Sequence, residues 1–174
     1  HFRTQDYNRH ISNEYFDHPR CTRCELLFIH PIPSDLGRYY PPSYHHIPET
    51  VAFLEENHGH ELYKIDLIRP FMPAGRLLEI GPSMGTFAYA AKKAGYEVNT
   101  IEMSKDCSRY LNEVAQIPTV NTSDTDAALQ TLEPFDVIAL WHVIEHLPDP
   151  WTTLKNIAGC LKPGGICVIA APNP

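Results

Sequence analysis

Leu78-Glu79-Ile80-Gly81-Pro82-Ser83-Met84-Gly85-Thr86-Phe87 is the stretch on which the fold turns. The residues before it, Arg76 to Ile80, read as a short buried strand. The residues after it predict a helix over 86–94 that Gly95 closes. A strand, a tight small-residue turn and a helix together open a parallel sheet covered by helices. In such sheets ligands gather outside the carboxyl ends of the strands, at the first strand-to-helix turn. Small residues there let the backbone approach a ligand, and the following helix offers free N–H groups to an anion. The spacing is not the dinucleotide pattern G-x-G-x-x-G, because Met84 and Gly85 fall in the wrong places, and Glu79 would repel a pyrophosphate. Taken alone, the turn reads equally well as a connection that holds nothing.

Outward from this unit the alternation continues. A second strand is expected over 97–101, a helix over 104–115, a short strand over 119–121 and a fourth strand over 135–140. Asp149-Pro150 opens a helix to residue 161, with the acid near the cap and the proline preset for the first turn. A Lys162-Pro163-Gly164-Gly165 turn then leads into a fifth strand over 166–171. Strands separated by helices imply a doubly wound, Rossmann-like α/β domain over 49–174. Upstream, Val51, Leu54, Leu62, Ile65 and Ile68 recur at spacings that predict one helix from Thr50 to Arg69. Residues 1–48 differ in texture, being rich in His, Tyr and Pro, and form a small appendage.

Composition narrows the class. The 174 residues are 43% hydrophobic and 20% charged, as in a folded globular protein. A formal charge of −7 argues against a nucleic-acid surface, which needs a basic face. No apolar run approaches the ~20 residues that cross a bilayer, and no signal pattern opens the chain. Five cysteines, only two closely spaced, do not make a disulfide framework. A cytoplasmic protein without nucleic-acid or membrane partners is expected. The start at His1 and the stop at Pro174 both read as cut ends.

Four segments, met in order, resemble the class I S-adenosylmethionine-dependent methyltransferases. Glu79-x-Gly81-x-Ser83-x-Gly85 is similar to that class's first motif D/E-x-G-x-G-x-G, with Ser83 in place of the middle glycine. Glu102, closing the second strand, matches the acid that binds the cofactor ribose in the class, and the following Met103 would pack on the adenine. Phe135 to Pro150, containing His142-Val143-Ile144-Glu145-His146-Leu147, resembles the fourth-strand motif of the group that includes the ubiquinone-biosynthesis O-methyltransferases. Leu161-Lys162-Pro163-Gly164-Gly165 resembles the fifth-strand signature. By this resemblance Glu79, Gly81, Pro82, Ser83, Gly85, Glu102, Met103, Trp141, His142 and Tyr44 would line the cofactor site. The anion at the helix start would then be the methionyl carboxylate. Asp124 is the candidate acid near the adenine amino group, with Asp126 its rival and an ordinary loop acid the plain alternative. The resemblance also implies further strands beyond the fifth, so the fold reads as truncated there.

Three readings of the post-strand turn stay open. His142, Glu145 and His146 at i, i+3 and i+4 would share one face of a helical turn. They could form a hydrogen-bonded structural pair, supply a general base from His142 or His146 for a hydroxyl acceptor, or bind a divalent metal. Cys21-Thr22-Arg23-Cys24 resembles one knuckle of a zinc ribbon, lacking its second pair and carrying Glu25 where relatives have glycine. The overall expectation is methyl transfer from S-adenosylmethionine to a small-molecule acceptor, such as a sugar nucleotide, a glycan precursor or a quinone-like compound. The alternative is a cofactor-binding or scaffolding protein that keeps the fold without turnover. A nicotinamide-dependent oxidoreductase is disfavoured by the glycine spacing.

Overall fold

A computed structural model describes residues 2–7, 10–40 and 46–172. The chain divides into two compact units, residues 1–44 and 45–174.

In the smaller unit, β1 (Phe2–Gln5) and β2 (Tyr15–His18) pair antiparallel, with Phe2 opposite His18 and Gln5 opposite Tyr15. An Arg3–Asp17 ion pair at 2.8 Å and a stacked Phe2–His18 contact join their side chains. Residues 20–27 then fold into a tight knuckle. The Cys21 N–H donates to the Leu26 carbonyl, the Glu25 N–H donates to the Cys21 carbonyl, and Arg20 bridges Leu27. Glu25 sits at φ +64°, the left-handed region that glycine adopts most freely.

The larger unit begins with α1 (Ala52–Asn57), a 3-10 turn from His58 to Glu61, and α2 (Leu62–Ile68). The single helix expected over 50–69 is therefore broken at His58-Gly59, where glycine weakens the helical run. Alternation follows: β3 (Arg76–Ile80), α3 (Thr86–Lys93), β4 (Glu97–Glu102), α4 (Lys105–Glu113), β5 (Thr119–Asn121), α5 (Thr125–Leu129), β6 (Phe135–Trp141), α6 (Pro150–Cys160) and β7 (Leu161–Ala170). The five strands lie in the order β5-β4-β3-β6-β7, and every pairing is parallel. This is the expected doubly wound sheet, and its order reverses between β3 and β6, which opens a crevice at their carboxyl ends.

Side-chain alternation builds one core on each face. Leu77, Val137 and Ala139 join Leu54, Ile65 and Ile68 and the buried faces of α3 and α4. Leu78, Ile80, Ile138 and Leu140 face α5 and α6 through Leu129, Ile157 and Cys160. Ser104 and Asp149 cap α4 and α6, accepting from the N–H groups of Cys107 and Thr152. The Lys162–Gly165 turn survives as a bulge, because Phe135 pairs with Leu161 while Val137 pairs with Ile166. The helix α5 was not expected from the sequence, being one turn long and almost without apolar period. No helix among the described residues is long and apolar enough to cross a membrane.

Candidate functional site at the carboxyl edge of the sheet

The turn after β3 is held by its own backbone. Gly81, Ser83 and Gly85 all have positive φ, at +69°, +54° and +80°. The Gly81 N–H donates to the Ile101 carbonyl at 2.9 Å, and the Gly85 N–H to the Pro82 carbonyl at 2.8 Å. A Cβ on Gly81 would lie 2.6 Å from Val143 Cγ2, and one on Gly85 would lie 2.3 Å from Leu111 Cδ2. Both glycines therefore serve left-handed backbone and close packing within the protein. Ser83 adopts the same conformation with a side chain attached, a strain of about 1–2 kcal/mol.

Glu102 fastens this turn to the neighbouring strand. Its carboxylate is buried and accepts the Ser83 N–H at 2.9 Å and the Ser104 N–H at 2.7 Å. Burial pushes its pKa up, and the Ser104 and Ser83 amides pull against that shift. A carboxylate offers about four lone-pair sites, so roughly two remain for a ligand diol. Asn121 Nδ2 donates to the Glu102 and Met103 carbonyls at 2.8 and 3.1 Å and so fixes the strand end. Sequence reading missed Asn121. Met103 is 54% exposed beside Glu102, an uncovered apolar side chain at the edge of the crevice.

The Glu79 carboxyl is buried, and its Oε2 has no hydrogen-bond partner. Burial holds its pKa at about 8, with Lys64 pulling it down and Glu61 and Glu102 pushing it up. The group is thus largely neutral at pH 7. Because the folded value lies above the ordinary 4.5, its contribution to stability is complete below 4.5 and is lost as pH rises through about 8. Glu79→Gln, neutral at every pH, should flatten that decline, read as melting temperature against pH. A decline of unchanged slope would show that Glu79 ionises freely.

Trp141 ends β6, its ring 5.1 Å edge-on from Phe87 and its Nε1 buried without a partner. His142 follows at φ +56°, its N–H donating to the Ala170 carbonyl at 2.9 Å. The expected helical turn starts only afterwards, as a 3-10 turn from Ile144 to His146. His142 therefore lies outside it, although its Nδ1 is 3.7 Å from Glu145 Oε1. The common face expected for His142, Glu145 and His146 is not formed, because the left-handed residue breaks the helical path.

Of the two loop acids, Asp124 caps α5 by accepting the Ala127 N–H at 2.9 Å. Asp126 is engaged by Thr153 Oγ1 and Asn156 Nδ2 of α6, which makes it a brace between helices. Tyr44 lies outside the described residues. In the smaller unit, hydrogen bonds from the Cys24 and Arg23 amides lower the pKa of the Cys21 thiol. Cys21 and Cys24 supply two of the four ligands structural zinc requires. No group of three or more His, Cys, Asp or Glu side chains among the described residues could hold a metal, so zinc does not fit them.

A family model described as a methyltransferase domain matches residues 52–174. The chain belongs to the methyltransferase domain family. Similar curated proteins include the ubiquinone biosynthesis O-methyltransferase of Xanthomonas campestris pv. campestris (strain B100), 27% identical over 60% of this chain and 46% of that one. That of Aeromonas salmonicida (strain A449) is 29% identical over 56% of this chain and 43% of its own length. The methyltransferase domain chain thus spans about half the length of the curated relatives it matches. In fold it is similar to Streptomyces venezuelae DesVI, with a TM-score of 0.57 at 18% identity over 67% of this chain and 51% of that one. The glycopeptide N-methyltransferase MtfA complexed with S-adenosyl-L-methionine gives a TM-score of 0.53 at 18% identity, over 65% and 53% of the two chains.

Proposed function

We propose that this methyltransferase domain binds S-adenosylmethionine and carries out methyl transfer to a small-molecule acceptor. The observation that carries the reading is Glu102: a buried carboxylate at the end of β4, tied to the turn after β3 and with acceptor capacity left over. Charge-assisted bonds from the two ribose hydroxyls suit that capacity. Met103, exposed next to it, offers an apolar surface to the adenine. Asp124 keeps one oxygen for its cap and has the other for the adenine amino group. Glu79 Oε2, buried without a partner, suits the methionyl ammonium. When bound, S-adenosylmethionine supplies a methyl group already activated on a sulfonium. The protein must then orient the acceptor and exclude water.

The names of the curated relatives favour a phenolic or quinone-like acceptor over a sugar nucleotide or glycan precursor. A hydroxyl acceptor needs a base, and exposed His142 beside Glu145 is the residue proposed for it, ahead of His146. His142→Asn keeps a residue that tolerates left-handed backbone, so the melting temperature should hold while turnover on a hydroxyl acceptor falls about 10²–10⁴-fold. Equal turnover in the variant would assign His142 a structural role. Calorimetric titration with S-adenosylmethionine and S-adenosylhomocysteine tests the reading as a whole. Micromolar binding supports it, binding without product from any acceptor pool favours a scaffold, and no binding sinks the methyl-transfer reading and leaves the scaffold ahead.

A further inference from the structure

A cleft between α5 and α6 lies away from the crevice. Cys160 closes α6 and Pro134 precedes β6, so the cleft opens at the amino edge of the sheet, the end opposite the candidate site. Its volume is about 370 Å³, within the range of small-ligand pockets. Leu129, Leu132, Pro134 and Cys160 give it an apolar wall, with Leu129 and Cys160 only 3% and 4% exposed. The brace from Asp126 to Thr153 and Asn156 joins the two helices on one side of it. Gly159 adds no side chain, and a Cβ built there meets nothing within 4 Å. Charge in the cleft is one-sided. Exposed Lys155 stands in the wall, and among the described residues nothing pairs with its ammonium. No carboxylate among the described residues lines the cleft; Glu133, between two wall residues in sequence, is exposed and outside it. Arg76 donates to the Pro134 carbonyl at 3.1 Å, with Glu97 at 3.3 Å offsetting part of its charge. Burial pushes the Cys160 thiol up and Arg76 pulls it back, so the positive field reaches the wall.

We infer that this cleft binds a small monocarboxylate with an apolar body, its carboxylate on Lys155 and its body against Leu129, Leu132 and Cys160. The site is separate from the methyl-transfer crevice and does not depend on that reading. An exposed ion pair by itself contributes little. Attraction therefore comes from covering the apolar wall, and the single unpaired cation selects for the single negative charge. A neutral molecule of the same shape keeps the first contribution and loses the second. The volume suits one ring or a short branched chain, and a ligand seated there bridges α5 and α6.

Benzoate is the probe, and benzamide, alike in shape and uncharged, is its control. Each is titrated into the full chain and its variants, with amide NMR spectra locating the site and melting temperatures recorded alongside. Benzoate should bind with a dissociation constant of about 0.1–1 mM, as a ligand of few atoms can. It should shift the side-chain amides of Gln130 and Asn156 and the backbone amide of Gly159, all in the cleft. Benzamide should bind about fivefold more weakly. Lys155→Gln should cost benzoate about fivefold and leave benzamide within about twofold. Gly159→Leu fills the cleft and replaces a glycine inside a helix, so the melting temperature should hold or rise while both probes cease to bind. Equal affinity for the two probes, or an unaffected Lys155→Gln, would overturn the inference by removing the charge from recognition. Shifts confined to Gly81, Ser83 and Met103 would overturn it by placing benzoate in the crevice at the carboxyl edge. No shift at concentrations well above the expected range would overturn it outright.

Discussion

Glu102→Ala is expected to weaken S-adenosylhomocysteine binding by about 100-fold or more, measured by calorimetric titration. The estimate follows from two charge-assisted hydrogen bonds to the ribose hydroxyls, each about 1.5–3 kcal/mol, discounted because such terms do not add fully. A second loss accompanies the first. The Ser83 and Ser104 amides that Glu102 now accepts would be left without their partner. Ser83 already holds a strained left-handed backbone, so the turn after β3 should loosen and the melting temperature should fall as well. Glu102→Gln separates the contributions. Its single carbonyl oxygen can keep one amide, while its NH₂ faces the other donor and offers the ribose one acceptor fewer. Affinity should therefore lie between wild type and alanine. An alanine variant that binds the nucleoside as tightly as wild type would remove Glu102 from the site and leave it a structural clamp.

That double duty explains which parts of the site were legible. The sheet was readable because each strand carries its own apolar run and each turn its own punctuation: Gly81, Gly95, the Asp149-Pro150 pair and Gly164-Gly165. Strand ends at Ile80, Glu102 and Trp141 followed within a residue or two. What the sequence did not show is where polar atoms are spent. Glu79 was read by spacing as a ligand residue, but the burial that leaves its Oε2 without a partner exists only once β3 is packed into the sheet. Lys64 sits 15 positions before Glu79 on a helix whose register depends on the break at His58-Gly59, and no local period reveals an inward-turned lysine. His142 was placed on a helical turn because its spacing to Glu145 and His146 fits one; the left-handed backbone at His142 depends on the Ala170 contact across the sheet. Local pattern determines elements, and tertiary contact determines which donors and acceptors remain for a ligand.

Gly85→Ala should destabilise the larger unit by roughly 2–5 kcal/mol, and Gly95→Ala is its control. Both glycines hold positive φ, at +80° and +96°, so each alanine bears the left-handed strain of about 1–2 kcal/mol. They differ in surroundings. Nothing lies within 4 Å of a Cβ on Gly95, whereas a Cβ on Gly85 meets Leu111 Cδ2 at 2.3 Å. Leu111 is fully buried in the α3–α4 core, so its side chain has little room to retreat, and overpacking there adds about 1–3 kcal/mol. Both tryptophans, Trp141 and Trp151, belong to this unit, so their fluorescence during denaturant unfolding reports on it alone. Equal losses in the two variants would show that α4 does not press on the turn as described. A larger loss at Gly85 would show that the turn after β3 is held from two sides, by Leu111 below and by Glu102 alongside. A turn so held presents its amides and the adjoining carboxylate in fixed positions before any ligand arrives, which is what a site for a flexible nucleoside needs.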